Sequence, residues 1–196
     1  MPAAEAPTRI RVSADERRHM LLAAAKRVFA ESGYHEATTR EIAAAGGVSE
    51  ALLYQHFPGK RQLFEELIRK GADDLERRLQ AAAGAANPEA AGMEAFFEFV
   101  EAESELFRVF FRQALQADPT FRRLYLASAL RLVKMPEGEL PVSEAAAHAL
   151  TGMLTELALW WLEEAALSRA EIVERASRMA QAICSVEGGH GSDRPG

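Results

Sequence analysis

The chain is poor in the residues that carry covalent or metal chemistry. It has one cysteine, Cys184, among 196 residues, so no disulfide can form within it, which fits a reducing compartment such as the cytoplasm. Its five histidines, His19, His35, His56, His148 and His190, are scattered without the spacing of a metal site. There is no glycine-rich phosphate loop, and Cys184 has no sequence neighbour that would activate it. These gaps argue against an enzyme, a metal centre or a bound cofactor. Long apolar runs are missing as well. The greasiest stretch, 145–162, contains His148 and Glu156 and reads as a buried helix, not a membrane span. Residues 1–11 carry no apolar run, so no signal peptide is expected. Strand-like alternation and internal repeats are also lacking. With 48% hydrophobic residues the chain can still bury a core, and the expectation is an all-α fold.

A basic excess is lacking too, since the net charge is −6. The charge is unevenly spread. Residues 1–70 hold 11 Lys and Arg against 9 Asp and Glu, whereas residues 71–196 hold 12 against 20. The positive part is therefore the first third of the chain. It is modest, so any contact with phosphates there has to come from placed side chains and helix ends rather than from a bulk field.

What the chain does have is concentrated between residues 32 and 64. Thr38 with Glu41 three positions on is a capping box opening a short helix that buries Ile42 and Ala43. Gly46 and Gly47 stop that helix, because glycine accepts the left-handed backbone of a tight turn. Val48 plugs the turn, and Ser49 caps a second helix over about 50–57. Leu53 and Phe57 share its buried face, which leaves Ala51, Leu52, Tyr54, Gln55 and His56 to point elsewhere. Pro58 and Gly59 end it, and Lys60 opens a long third helix. Two short capped helices joined by a tight turn form a helix-turn-helix, which lays its second helix in the major groove of DNA.

The rest of the chain organises around this motif. Residues 1–12 read as a flexible tail, in which Arg9 and Arg11 are either a minor-groove arm or merely solvated. Ser13 and Glu16 form another capping box, opening a helix over 13–32 that Gly33 ends with Tyr34 packed below. Residues 13–59 thus form a helix-turn-helix DNA-binding domain. Residues 60–187 form a second helical domain, and 188–196 a flexible tail. In the second domain, helices are expected over about 60–83, 88–101, 104–116, 118–134, 143–166 and 168–186, giving about nine in all. Asn87-Pro88, Asp118-Pro119 and Ser168 with Glu171 supply the start signals, and 135–141 reads as a Pro/Gly loop.

The residues around the motif resemble the TetR/AcrR family of bacterial transcriptional regulators. The resemblance begins at Leu21-Leu22, Ala24-Ala25, Phe29 and Gly33-Tyr34. It continues through Thr38-Thr39, Ile42-Ala43, Gly47-Val48-Ser49, Leu53-Tyr54, His56-Phe57, Lys60 and Leu63. It is strong over about 15–65, with a weaker echo at Ala149-Leu150 and Gly152. The resemblance implies that Thr38, Thr39, Tyr54, His56 and Lys60 touch phosphates. It implies that Glu50, Ala51, Leu52 and Gln55 vary with the operator, with Ser49 beside them at the helix start. Ala51 stands where the family often has Gly, Leu52 where a small or hydroxyl residue is common, and Gly46 where Ala is usual. An apolar contact from Leu52 to a thymine methyl, and acceptance by Glu50 from a cytosine amino group, follow as expectations.

Two further sites are expected in the second domain. Phe96, Phe97, Phe99, Phe107, Phe110, Phe111, Phe121 and Tyr125 crowd together, with Trp160 later. The cluster is either solid core or the wall of an apolar pocket, and the resemblance implies a small-molecule effector there, apolar or amphipathic. Arg108, Arg112 and Glu103 are its candidate polar contacts. The last two helices are apolar on more than one face, through Leu150, Met153, Leu154, Leu157 and Trp161, then Ile172, Val173, Met179 and Ile183. A helix of that kind has to bury more than one face, so pairing with a second copy across a twofold axis is expected. Partners are thus a double-stranded operator, an effector and a second copy, with no membrane. The resemblance favours a repressor that its effector releases from a near-palindromic operator. The rival reading is a helix-turn-helix interaction module without an effector.

Overall fold

The structure is a computed structural model and describes residues 13–111, 119–121, 123, 143–164 and 166–188. Among these residues every regular element is a helix: α1 Ala14–Glu36, α2 Thr39–Ala45, α3 Glu50–His56, α4 Lys60–Ala83, α5 Pro88–Ala102, α6 Ser104–Val109, α7 Glu144–Glu164 and α8 Arg169–Gly188. No helix among them is long and apolar enough to cross a membrane. The two tails, the expected loop at 135–141, most of the expected helix over 118–134, and Arg112 and Tyr125 lie outside the described residues.

The chain divides into two compact units, residues 1–67 and 68–196, so the boundary falls inside α4 rather than at 59/60. The reason is packing. Leu63 and Phe64 are fully buried, and Phe64 sets its ring edge-on to Phe29 of α1 at 5.0 Å between centroids. The first turns of α4 therefore complete the core of the first unit. That core also takes Leu21, Leu22, Ala25, Ile42, Leu53 and Phe57. Ser13 and Glu16 close the expected capping box in both directions, at 2.8 and 3.1 Å. The first helix runs past its expected end to Glu36 but breaks at Gly33, where φ is 78° and ψ 168°. Only glycine takes that backbone freely. The break turns Tyr34 onto Phe64, at 4.9 Å, and Phe29, at 5.9 Å.

In the second unit α5 and α7 both pack on α8, and α5 and α6 also meet α7. Leu75, Phe97, Phe99, Val100, Phe107, Ala158, Trp161, Ile172 and Ala176 form the core. Asn87 caps α5 by accepting from the Ala90 amide at 3.2 Å. Arg169 in the first turn of α8 donates to Glu94 at 2.7 Å and Glu101 at 2.6 Å, tying α8 to α5. Glu101 first, then Glu94, holds the Arg169 guanidinium above its ordinary pKa. Cys184 is half-buried, and desolvation, with Glu89 adding to it, pushes its thiol up and away from reactivity.

Packing within the chain removes three residues from the expected dimer surface. Leu150, Trp161 and Ile172 are buried inside the unit, so they are not free to meet a second copy. The two tryptophans differ in burial. Trp161, 6% exposed, stands edge-on to Phe97 at 5.6 Å and donates its indole N–H to the Leu167 carbonyl at 3.0 Å. Trp160, expected at the effector site, is 40% exposed and donates to Glu164 on the next turn at 3.0 Å. Neighbours on a helix point about 100° apart, so only one of the pair can face the core. Met153, Leu154, Leu157, Val173 and Ile183 are half-buried, and Met179 is exposed.

Of the residues expected to line a pocket, Phe99 and Phe107 lie in the core itself. Phe96 and Phe111 pack against it from a half-buried position. Phe110 and Phe121 are buried. Arg108 donates to the carbonyl of Leu162, so it helps to seat α7.

Truncating Trp161 to alanine is expected to cost about 3–5 kcal/mol, and truncating Trp160 less than about 0.5 kcal/mol, in urea unfolding of the purified protein. The opposite order would place Trp160 in the core.

Candidate nucleic-acid interface

The motif is built from two seven-residue helices, α2 and α3, each too short to persist in water alone. Thr38 and Glu41 make the predicted reciprocal cap of α2. The Glu41 carboxylate also accepts from the Thr38 hydroxyl at 2.9 Å. The turn then needs one left-handed residue, and Gly47 supplies it at φ 67°. Gly46 keeps a right-handed backbone, φ −85°, and closes α2 by donating to the Ile42 carbonyl at 2.9 Å. The Ser49 hydroxyl accepts from the Leu52 amide at 3.2 Å and opens α3.

Three cations hold the helix ends from outside, and two of them escaped the sequence reading. Arg27 of α1 donates to the Ala45 carbonyl at the end of α2, at 3.1 Å. Arg18 of α1 donates to the His56 carbonyl at the end of α3, at 3.2 Å. It also lies 4.2 Å from the centroid of the Phe57 ring and 3.4 Å from a Glu66 carboxylate oxygen of α4. A helix carboxyl end presents unpaired carbonyls and a partial negative charge, which a guanidinium satisfies on both counts. Lys60 does the same for the segment after the Gly33 break. Its ammonium donates to the His35 carbonyl at 2.7 Å and the Ala37 carbonyl at 2.9 Å, 5.1 Å from the Tyr34 ring centroid.

The expected reading surface is thereby sorted. Leu53 and Phe57 are buried, as their spacing requires. Ala51 and Gln55 are exposed, Leu52 and His56 half-buried, and Tyr54 is 51% exposed. Thr38 and Ser49 are exposed but spend their hydroxyls on caps. Lys60 commits two of its three N–H donors inside the unit, so its geometry is that of a structural clamp rather than of an outstretched phosphate contact. Glu50 is not an idle acceptor either. Thr39 donates to it at 2.6 Å, Tyr54 shares that hydroxyl at 3.2 Å, and Arg40 stands 3.8 Å from its other oxygen. Arg40 was missed because it sits on α2 beside a contact that only the folded motif creates.

This geometry has known counterparts. Residues 21–67 match the family described as bacterial regulatory proteins, tetR family. Over that segment the chain is similar to the TetR family. The HTH-type transcriptional activator FasR of Mycolicibacterium smegmatis is 37% identical over 113 residues, 56% of this chain and 52% of its own length. The nucleoid occlusion factor SlmA of Photorhabdus laumondii is 42% identical over 65 residues, 33% of each chain. The chain thus spans about half the length, or less, of these curated relatives. A crystal structure of a tetR-family transcriptional regulator from Streptomyces coelicolor shares the fold, with a TM-score of 0.68 over 91% of this chain and 84% of that one, at 23% identity. Its agreement extends the TetR-like helical architecture beyond the matched segment.

The structural role of Lys60 separates cleanly from a DNA role. Lys60→Met removes two charge-assisted hydrogen bonds and is expected to cost about 1–3 kcal/mol in urea unfolding without DNA. A lysine that served only phosphates would leave that stability unchanged.

Proposed function

We propose that the protein is a DNA-binding transcriptional regulator that works as a homodimer, placing α3 of each copy in successive major grooves of a near-palindromic operator. The observation that carries this reading is the two-sidedness of α3. Leu53 and Phe57 are sunk in the core while Tyr54, half exposed, stands outward with Ala51 and Gln55. A short helix held by one face and bare on the other is the part that helix-turn-helix proteins insert in DNA. Thr39, Tyr54 and His56 are the candidate phosphate contacts, and Ala51, Leu52 and Gln55 the candidate base readers.

Dimerisation is supported by the apolar side chains that α7 and α8 leave partly uncovered. Met153, Leu154, Leu157, Val173, Met179 and Ile183 remain from the expected surface, and exposed Trp160 joins them. The effector reading is supported by the phenylalanine-rich region where α5 and α6 meet α7, with Phe96 and Phe111 at the margin of the core. An apolar or amphipathic small molecule bound there shifts DNA affinity only by its different affinity for the two states of the protein. The helix α4 belongs to both units by sequence and is the natural carrier of that coupling. Release of a repressor is the family's commoner outcome. The naming of FasR as an activator favours a second reading, in which the bound protein promotes transcription.

Purified protein should bind the duplex upstream of its own coding region at low salt, with affinity falling steeply as salt rises. Tyr54→Ala should weaken that binding roughly tenfold with unfolding stability nearly unchanged, read by fluorescence anisotropy. No binding by the wild type at low salt would remove the reading. A promoter fusion in a strain lacking the gene gives the sign: higher expression marks a repressor, lower an activator. In sedimentation at micromolar concentration the protein should run as a dimer, and a stable monomer would contradict the two-groove arrangement.

A further inference from the structure

We propose that the Glu50 carboxylate is a built-in occupant of the place a DNA phosphate would take among Thr39, Arg40 and Tyr54, and that it sharpens specificity by weakening binding to duplex of arbitrary sequence. The proposal rests on the reading of α3 as the DNA-facing helix and adds a specificity device to it. Two donors of the kind that hold phosphates, a hydroxyl and a guanidinium, face one anionic side chain, and a second hydroxyl stands beside the first. Thr39 donates to one Glu50 oxygen at 2.6 Å, and its hydroxyl lies 3.2 Å from the Tyr54 hydroxyl. Arg40 places its Nε 3.8 Å from the other Glu50 oxygen. The cluster is at the surface: the Arg40 side chain is almost fully exposed and that of Glu50 about one third exposed.

The consequence follows from charge. A phosphate approaching Thr39 meets a carboxylate already bound to that hydroxyl, and one approaching Tyr54 meets the same carboxylate one hydroxyl away. Binding then requires either displacing Glu50, with loss of its hydrogen bond, or bringing two anions together. On duplex of arbitrary sequence nothing offsets that cost, because binding there is almost entirely electrostatic. On the operator, Glu50 can turn to a cytosine amino group, where a carboxylate is an apt acceptor, and the donors pass to the phosphate. One residue thus lowers the affinity for every wrong site and gives part of it back at the right one.

The test is fluorescence anisotropy with wild type, Glu50→Gln and the double variant Arg40→Gln/Glu50→Gln. The probes are a random-sequence duplex and the duplex upstream of the protein's own coding region, at a series of salt concentrations. Glutamine keeps the size of the side chain and can still accept from Thr39, and a thermal melt of each variant establishes folding. Glu50→Gln should bind the random duplex about three- to tenfold tighter at low salt, with the slope of log affinity against log salt steeper by about one unit as Arg40 turns to a phosphate. Its gain on the upstream duplex should be smaller, and the double variant should return to the wild-type slope. Unchanged or weaker binding of the random duplex by Glu50→Gln, while the wild type binds DNA, would overturn the inference and leave the reading of α3 intact. An equal gain on both duplexes would overturn it as well. A wild type that binds neither duplex sinks the reading of α3 and this inference with it.

Discussion

The edge of Phe64 against the ring of Phe29 is the contact on which the first unit depends. It joins the first turns of α4 to α1 in the unit where Leu53 and Phe57 are also buried. Neither α2 nor α3 holds itself together, since seven residues give too few hydrogen bonds to offset the cost of starting a helix. Both exist because a preformed apolar surface takes Ile42, Ala43, Leu53 and Phe57 out of water. The outward face of α3 is free to vary for the same reason, as its side chains contribute little to that burial.

Electrostatics completes what packing begins. Arg18, Arg27 and Lys60 all donate to main-chain carbonyls at helix ends, so part of the basic surplus of the first seventy residues is spent on holding the motif. Glu50 in turn engages Thr39 and stands near Arg40. These cations keep their charge, but fewer of their donors are left for phosphates than a count of arginines and lysines implies. A motif of this kind leans on geometry and on hydroxyl donors more than on bulk charge, which agrees with a net charge of −6 for the whole chain.

The second unit shows where one-dimensional patterns lose their power. Its phenylalanines recur at helical spacing whether they wall a cavity or fill a core, because both need the same apolar stripe. The sequence therefore left both readings open for Phe99 and Phe107, and packing puts them in the core cluster with Trp161 and Ile172. Adjacent tryptophans at 160 and 161 could not be ordered from hydropathy alone. The rotation of α7 about its own axis decides between them, and that rotation is set by α5, α6 and α8.

Local features were legible without coordinates. The caps at Ser13, Thr38, Ser49, Asn87 and Ser168 each join atoms three residues apart, and Gly47 answers a backbone demand at its own position. The burial of Leu53 and Phe57 follows from their spacing on one helix. What only the tertiary structure decided are the bonds from Arg18 to His56, Lys60 to His35 and Thr39 to Glu50, which span 38, 25 and 11 residues. No periodicity encodes such pairs. A long cationic side chain on a helix has the same sequence signature whether it reaches solvent, a phosphate or a carbonyl, and its partner is fixed only when separate helices are brought together around a shared core.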